Sequence, residues 1–427
     1  MRVVVVALGK IGLPLAVHIA RAGHEVVGCD IDAAVVDAVN AATPPFPGEA
    51  GLREALASVV GSGALRAQAD TTAAVAAGPE LVVAVPPLIV DAHAQPDWRV
   101  LDSVTAAIGA GLRPGTTVSI ETTLPVGTTR TRVAPGLARG RGLEPEIDFH
   151  VVFSPERVSS GRVFRDLATY PKLVGGLTPE GEARGVELYG RFIEAEVRPM
   201  GSAEAAELTK LAETTYRDVN IALANEYARY ADEAGIDIER VIEAANSQPF
   251  SHIHRPGIAV GGHCIPVYPR FYLGSDREAQ IPAAARKVNE AMPAHAVDLL
   301  ERAAGSLRDA RVLILGVAYR GGVKETAFSG AFAVRDELRR RGAIPLAADP
   351  LFSPAELRAH GFEPWDGEAV GAAVVQADHE EYRRLRPEDV PGARAVVDGR
   401  GVLDAAAFAA GGVAVLRIGR PPVLPTT

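Results

Sequence analysis

Residues 260–269 read VGGHCIPVYP, and Cys264 in this stretch is one of only two cysteines in a chain of 427 residues. A cysteine packed in a core has bulky apolar neighbours. Here Gly261 and Gly262 remove side chains, open backbone conformations closed to other residues and let a ligand approach the thiol, and Pro266 stiffens the exit from the turn. Such a thiol is a candidate nucleophile, although the decapeptide alone serves equally for a loop cysteine that fills space. A second chemical pattern opens the chain, where the apolar run RVVVVAL meets Gly9, Lys10, Ile11 and Gly12 and then LPLAVHIARAG at helical spacing up to Gly23. The next apolar run, EVVGCD, ends in Asp30, 18 residues after Gly12. Strand, glycine turn, helix, strand and acid in this order form the dinucleotide-binding fingerprint in its proper context, with Ala7 at the usual first glycine. The glycines let a pyrophosphate reach the helix N-terminus, where free N–H groups and the dipole favour anions. Asp30 is suited to accept hydrogen bonds from the adenosine ribose and to repel a 2′-phosphate, which predicts NAD over NADP. Cys29, inside the second strand, reads as core filler.

The elements that must position these residues alternate strand and helix. LVVAVPP (81–87), TTVSIETTLPVG (116–127) and HVVFSPERV (150–158) read as strands running into proline-bearing loops, at the carboxyl ends where an open α/β sheet binds its ligands. The last of these delivers Glu156, which on its own is compatible with a surface carboxylate. From Ser202 to Gly235 the pattern becomes one long helical run with Lys210 near its start, where spacing alone gives a solvated lysine; a helix of this length links domains or forms a dimer interface. Residues 236–300 read as further helices interrupted by the Cys264 loop. ARVLILGVAYRGG then starts a second α/β unit, with an Asp at 349, whose glycine turn lacks the dinucleotide spacing. The expected fold is α/β: two Rossmann-like, doubly wound parallel-sheet domains joined by a long helix and a helical centre. The expected boundaries are 1–200, 201–305 and 306–427.

Composition excludes several classes. Apolar residues make up 48% of the chain, as in ordinary globular proteins, and the formal charge is −9 with no basic block, which argues against nucleic acid or an anionic membrane as partner. Two cysteines cannot make a disulfide framework, and no Cys/His cluster has zinc-ligand spacing. No apolar run approaches the length of a spanning helix, and the N-terminal run leads into the glycine fingerprint instead of a cleavage site, so a cytoplasmic protein is expected.

Taken in order, LGKIGLP, ETTLPVGTT, FSPERV with YPKLVGG, AELTKLAETTYRDVNIALANE, RPGIAVGGHCIPV, LILGVAYR, and ADHEEYRRL with VVDGRGVLD make the chain resemble the UDP-glucose/GDP-mannose dehydrogenase family over nearly its whole length. GGHCIP and PERVSSGR look most like the branch acting on UDP-N-acetylmannosamine or UDP-N-acetylglucosamine. The resemblance implies NAD-dependent oxidation of a nucleotide sugar's C6 hydroxymethyl to a carboxylate, in two hydride transfers at one site, by a homodimer. It implies Cys264 as the nucleophile that forms a thiohemiacetal and then a thioester, Lys210 as the cation beside the developing oxyanion, and Glu156 as the group activating hydrolytic water. Thr123 would hold a water or substrate hydroxyl, and Thr214 stands at another catalytic position. NAD would be held by Gly9, Lys10, Ile11, Gly12, Asp30, Pro86 and Thr123. The sugar nucleotide would be held by Arg157, Arg255, Gly261, Gly262, His263, Tyr268, Arg320 and Lys324, and no metal is implied.

Departures from the family pattern are specific. Thr214 replaces an Asn four residues after the lysine, and Tyr268 an Asp four residues after the cysteine. Lys324, Glu325, Thr326 and Ala327 stand for Arg-Glu-Ser-Pro, and Arg320 for a lysine, which matters because a guanidinium can grip phosphate with two donors where an ammonium is a point charge. The alternatives are a UDP- or TDP-glucose 6-dehydrogenase, a two-domain β-hydroxyacid dehydrogenase, and a nucleotide-sugar-binding protein with impaired catalysis.

Overall fold

The computed structural model describes residues 1–91, 95–158 and 161–425; Ser159 and Ser160 of the PERVSSGR segment lie outside them. The chain forms two compact units, 1–213 with 270–277 and 214–269 with 278–427.

The first unit is built on the valine run at the N-terminus. Four consecutive buried valines in β1 (Arg2–Val6) cannot face solvent on alternate sides, so this strand takes a central position covered on both faces. It is joined by β2 (Glu25–Cys29), β3 (Leu65–Gln68), β4 (Leu81–Ala84), β5 (Thr117–Ile120), β6 (His150–Phe153), β7 (Lys172–Gly176) and β8 (Val197–Pro199). The sheet order is β3-β2-β1-β4-β5-β6-β7-β8. Strands β1 to β6 run parallel, with Val3 opposite both Val26 and Leu81, while β7 is antiparallel to β6. The winding reverses between β1 and β4, so a crevice opens beyond their carboxyl ends, where such sheets bind ligands. The helix Gly12–Arg21 packs the apolar face Leu13, Leu15, Ala16 and Ile19 into the core under this sheet.

The second unit repeats the plan with β9 (Arg311–Leu315), β10 (Ile344–Ala348), β11 (Glu363–Pro364), β12 (Ala372–Val375), β13 (Ala395–Asp398), β14 (Ala414–Arg417) and β15 (Arg420–Val423). Its order is β11-β10-β9-β12-β13-β14-β15, parallel except for β15. The expectation of two doubly wound sheets therefore holds.

The long helix spans Ala203–Ala234, 32 residues or about 48 Å, and the division between the units falls inside it. Its Ala224, Ala228 and Ala231 recur at four- and three-residue steps and join the second unit's core with Met292, Ala296, Val297 and Leu300 of the helix Gln280–Ala304. The short helices Ile238–Ala245 and Tyr268–Ser275 flank the Cys264 loop, as the sequence pattern anticipates.

Candidate active site

In the first unit the glycine turn follows β1 directly. Ala7 adopts φ +73°, a left-handed conformation that favours glycine, so the alanine keeps the turn but carries strain. Gly12 is a steric necessity, because a Cβ there would lie 1.9 Å from the Ala7 carbonyl oxygen. At Gly9 a Cβ would meet no atom within 4 Å, so the turn beside the helix N-terminus has the open space that an approaching pyrophosphate requires. Asp30 Oδ2 accepts from the Leu8 N–H at 2.8 Å and Oδ1 from the Asp32 N–H at 3.0 Å, which fixes the carboxylate while leaving each oxygen a lone pair for a ribose hydroxyl. Ile31 beside it is 94% exposed. These residues fit an adenine dinucleotide.

The corresponding turn of the second unit is closed. A Cβ at Gly316 would lie 2.5 Å from the Ala377 Cβ. Asp349, at the place Asp30 holds in the first sheet, accepts from the N–H groups of Val317 (2.7 Å), Ala318 (3.0 Å) and Leu351 (2.9 Å) and pairs with buried His379 at 3.1 Å. Burial pushes the Asp349 carboxyl up, but His379 and the backbone donors outweigh it and hold the group below the usual carboxylate range. The second turn therefore ties its own backbone together, consistent with its lack of dinucleotide spacing.

The loops leaving β4, β5 and β6 are stitched to one another. Glu121 N–H donates to Ala84 O at 3.0 Å, Ser154 N–H to Ile120 O at 2.9 Å, and Glu156 N–H to Glu121 O at 3.2 Å. The Thr122 hydroxyl donates to the carbonyl of Pro86, and Thr123 is buried at 4% exposure. Lys210 reaches from the long helix to the same loops, its ammonium donating to the Glu156 carbonyl. Glu156 is itself buried; Oε1 accepts from the Val158 N–H, and Oε2 has no hydrogen-bond partner among the described residues. A buried carboxylate oxygen left without a protein donor is costly and suits a group that engages water or substrate. Arg157 grips Glu213 on the helix (Nη2 at 2.5 Å, Nε at 2.8 Å) and donates to Pro171 O at 3.0 Å. Thr214, one turn beyond Lys210, is also buried.

Below these loops is a charged core that sequence reasoning missed. Lys172 and Glu121 pair at 2.7 Å with 7% and 0% side-chain exposure, and the Tyr189 hydroxyl donates to Glu121 at 2.5 Å and lies 2.8 Å from the Ser119 hydroxyl. Burial pushes the Glu121 carboxyl up, against the pull of Lys172. The available signal is Lys172 itself, a lysine at the head of the otherwise apolar strand KLVGG.

In the second unit, Cys264 is exposed on its loop. The glycines before it serve packing as well as conformation. Gly262 has φ +91° and donates to Ala327 O at 2.9 Å, and a Cβ on Gly261 would come within 2.8 Å of the Tyr319 Cβ and 3.1 Å of Phe328 O. His263 pairs with Glu325, while Cys264 O accepts from the N–H of Tyr268 at 2.9 Å, so Tyr268 opens the next helix. Arg320 lies 5.8 Å from the Tyr319 ring centre, Lys324 pairs with Glu356 at 2.6 Å, and Arg255 is exposed. Among the described residues no group of three or more His, Cys, Asp or Glu is arranged to hold a metal ion.

The two thiols differ in accessibility. Cys29 is fully buried in β2, and burial pushes its pKa up to about 12, so the thiolate that alkylating reagents attack is scarce. Native protein treated with iodoacetamide is expected to take up one label, on Cys264, and unfolded protein two; peptide mass mapping checks the assignment.

An open glycine turn at the end of β1, with Asp30 held at the end of β2, marks the first unit as a dinucleotide-binding domain of the kind NAD-dependent oxidoreductases carry. The chain matches the UDP-glucose/GDP-mannose dehydrogenase family models for the NAD binding domain (residues 1–193), the central domain (204–291) and the UDP binding domain (313–405), and it belongs to that family. It is 33% identical to the UDP-N-acetyl-D-mannosamine dehydrogenase of Pyrococcus horikoshii over 411 residues, 94% of this chain and 96% of the relative. It is 32% identical to the NDP-N-acetyl-D-galactosaminuronic acid dehydrogenase of Ralstonia nicotianae, covering 95% and 97% of the two chains. The solved structure of the Pyrococcus horikoshii UDP-D-ManNAc dehydrogenase superposes with a TM-score of 0.88 at 31% identity, over 99% of this chain and all of that one. A UDP-glucose dehydrogenase from Pyrobaculum islandicum superposes with a TM-score of 0.82 at 28% identity, over 95% and 98%. The protein is an NAD-dependent UDP-sugar dehydrogenase.

Proposed function

We propose that this enzyme oxidises the C6 hydroxymethyl of a UDP-N-acetylhexosamine to the carboxylate. NAD is held on residues 1–200, a dimer core is formed by 201–305, and the nucleotide sugar is held on 306–427. The carrying observation is the exposed Cys264 thiol after Gly261 and Gly262, in a chain two of whose relatives, matched over almost their full length, are named for N-acetylhexosamine nucleotides. Bound NAD supplies the hydride acceptor. The alcohol first loses a hydride and a proton to give the aldehyde. The Cys264 thiolate then adds to C6, forming the C–S bond, and the oxygen takes a proton. Removal of a second hydride together with that proton would leave a thioester, bound NAD again being the group that would supply the acceptor. Water adds at the same carbon, the C–S bond breaks to return the Cys264 thiolate, and the two protons of the water pass to solvent, leaving the carboxylate.

Lys210 supplies positive charge to the oxyanion, Glu156 orients the hydrolytic water through its buried Oε2, and Thr123 and Thr214 supply hydroxyls. Arg255, His263, Arg320 and Lys324 bind the anionic nucleotide sugar, the last two by exchanging surface contacts for phosphate. The test is NADH formation across UDP- and TDP-linked glucose, N-acetylglucosamine, N-acetylmannosamine and N-acetylgalactosamine, with product mass measured. The expected result is two NADH per molecule of one UDP-N-acetylhexosamine. Preference for a glucose nucleotide, or tight binding without NAD reduction, would overturn the assignment.

The dimer rests on a stripe along the long helix. Tyr216 (57% exposed), Leu223 (42%), Tyr227 (44%) and Tyr230 (68%) follow steps of seven, four and three residues, so they share one face. A second copy of the same helix matches such a stripe by symmetry. The double substitution Leu223→Asp, Tyr227→Asp is expected to halve the molar mass measured by light scattering. Among the described residues no helix is long and apolar enough to cross a membrane, and a free-thiol enzyme that consumes NAD fits the cytoplasm.

A further inference from the structure

Beneath the Cys264 loop runs a buried polar chain to which the oxidation chemistry gives no part. Asp218 on the long helix is fully buried and pairs with Arg286 of the helix Gln280–Ala304 at 2.7 Å. Asn289, one turn further on, donates to the Asp218 carboxylate at 2.8 Å and to its carbonyl at 3.0 Å. Asn225 donates to the Asn289 oxygen at 2.8 Å. Arg286, Asn289 and Asn225 are 7%, 2% and 1% exposed.

Four polar side chains between two helices could be replaced by apolar ones without loss of stability, since buried ion pairs gain little over well-packed hydrophobes. Their ends show a different use. At one end the Asn225 oxygen accepts from the Gly257 N–H at 2.9 Å, and at the other Arg286 Nη1 donates to Ile265 O at 3.4 Å. Gly257 and Ile265 bracket the segment that carries Cys264, and Ile265 is its immediate neighbour. Between them the loop is held by Ile258 in the core, the Gly262 N–H on Ala327 O, the His263–Glu325 pair and the Tyr319 ring against the glycines, and the polar chain adds a fixed point at each end. Asn225 and Asn289 each use an amide oxygen and an amide nitrogen at once, so the chain has a direction and fixes the separation of its two ends.

We infer that Asp218, Asn225, Arg286 and Asn289 are positioning residues that clamp the Cys264 loop at both ends and set the thiol's place for attack on C6. The inference rests on the reading of Cys264 as nucleophile. A small displacement of a reacting group can lower a rate a hundredfold without affecting substrate binding, so the effect belongs in kcat.

The test uses Asn225→Ala, which releases the Gly257 end, and Arg286→Lys, which keeps a cation for Asp218 on a shorter arm and so withdraws the group that, as Nη1, also reaches Ile265 O. Each variant should keep its thermal midpoint within a few degrees, change KM for NAD and sugar nucleotide less than about twofold, and lose about tenfold or more in kcat. The rate of Cys264 alkylation against pH should shift in both. Wild-type kcat and alkylation profiles in folded variants would overturn the clamp, as would loss of kcat accompanied by a large fall in thermal midpoint and raised KM for both substrates. The alkylation measurement does not depend on turnover, so it separates this failure from failure of the nucleophile assignment, which would appear as wild-type acid formation by Cys264→Ser.

Discussion

Cys264→Ser is expected to abolish carboxylate production, lowering its rate roughly a millionfold, the scale seen when an enzyme loses its nucleophile. The substitution removes no packing, because the side chain is exposed, and Gly262 and Tyr268 keep their backbone hydrogen bonds. What changes is nucleophilicity. A thiol is partly ionised near neutral pH, whereas a serine hydroxyl is a weak nucleophile without a dedicated general base. The thioester is the form from which the second hydride departs and on which water acts, so a chain unable to make it stops at the aldehyde level. Product mass and NADH per sugar separate the cases. The variant should yield no acid and at most one NADH per molecule turned over; acid at the wild-type rate with two NADH would show that oxidation proceeds without covalent capture.

Much of the positioning apparatus was legible because it is written in local patterns. The valine run of β1, the glycine turn and Asp30 lie within 30 residues, and their roles follow from periodicity and from backbone space. The long helix announced itself by three- and four-residue steps and a closing Gly235. Edge strands were not legible. β11 has two residues and β3 four, too short for alternation to register. The purpose of Gly261 and Gly262 was half legible. Their type promised unusual backbone, which Gly262 shows, but the Tyr319 ring against them comes from 57 residues downstream of Gly262, and no local pattern marks it. The same limit hid Glu121 with Lys172, and Asp218 with Arg286: each residue alone is an ordinary surface type, and only the fold turns it into half of a buried pair. Arg157 is the converse, a motif residue whose guanidinium holds Glu213 and the Pro171 carbonyl, partners that no local pattern marks.

Gly12→Ala is expected to raise the dissociation constant for NAD at least a hundredfold, about 2.7 kcal/mol, and to lower the unfolding free energy by about 3 kcal/mol. The added Cβ would stand 1.9 Å from the Ala7 carbonyl oxygen, and that neighbour is backbone, so the strand and the helix N-terminus must move apart. This displacement shifts the N–H groups that would meet the pyrophosphate. Ala7→Gly provides the opposite sign at the other end of the same contact. Ala7 holds φ +73°, which costs an L-residue about 1 kcal/mol, while glycine's freedom in the unfolded chain removes part of the gain. The variant should therefore be a few tenths of a kcal/mol more stable and bind NAD with unchanged affinity. Calorimetric titration with NAD and urea unfolding test both variants side by side. Wild-type NAD affinity in Gly12→Ala would mean that the turn does not hold the dinucleotide. Destabilisation in Ala7→Gly would mean that the left-handed residue is supported by its methyl, against the backbone argument.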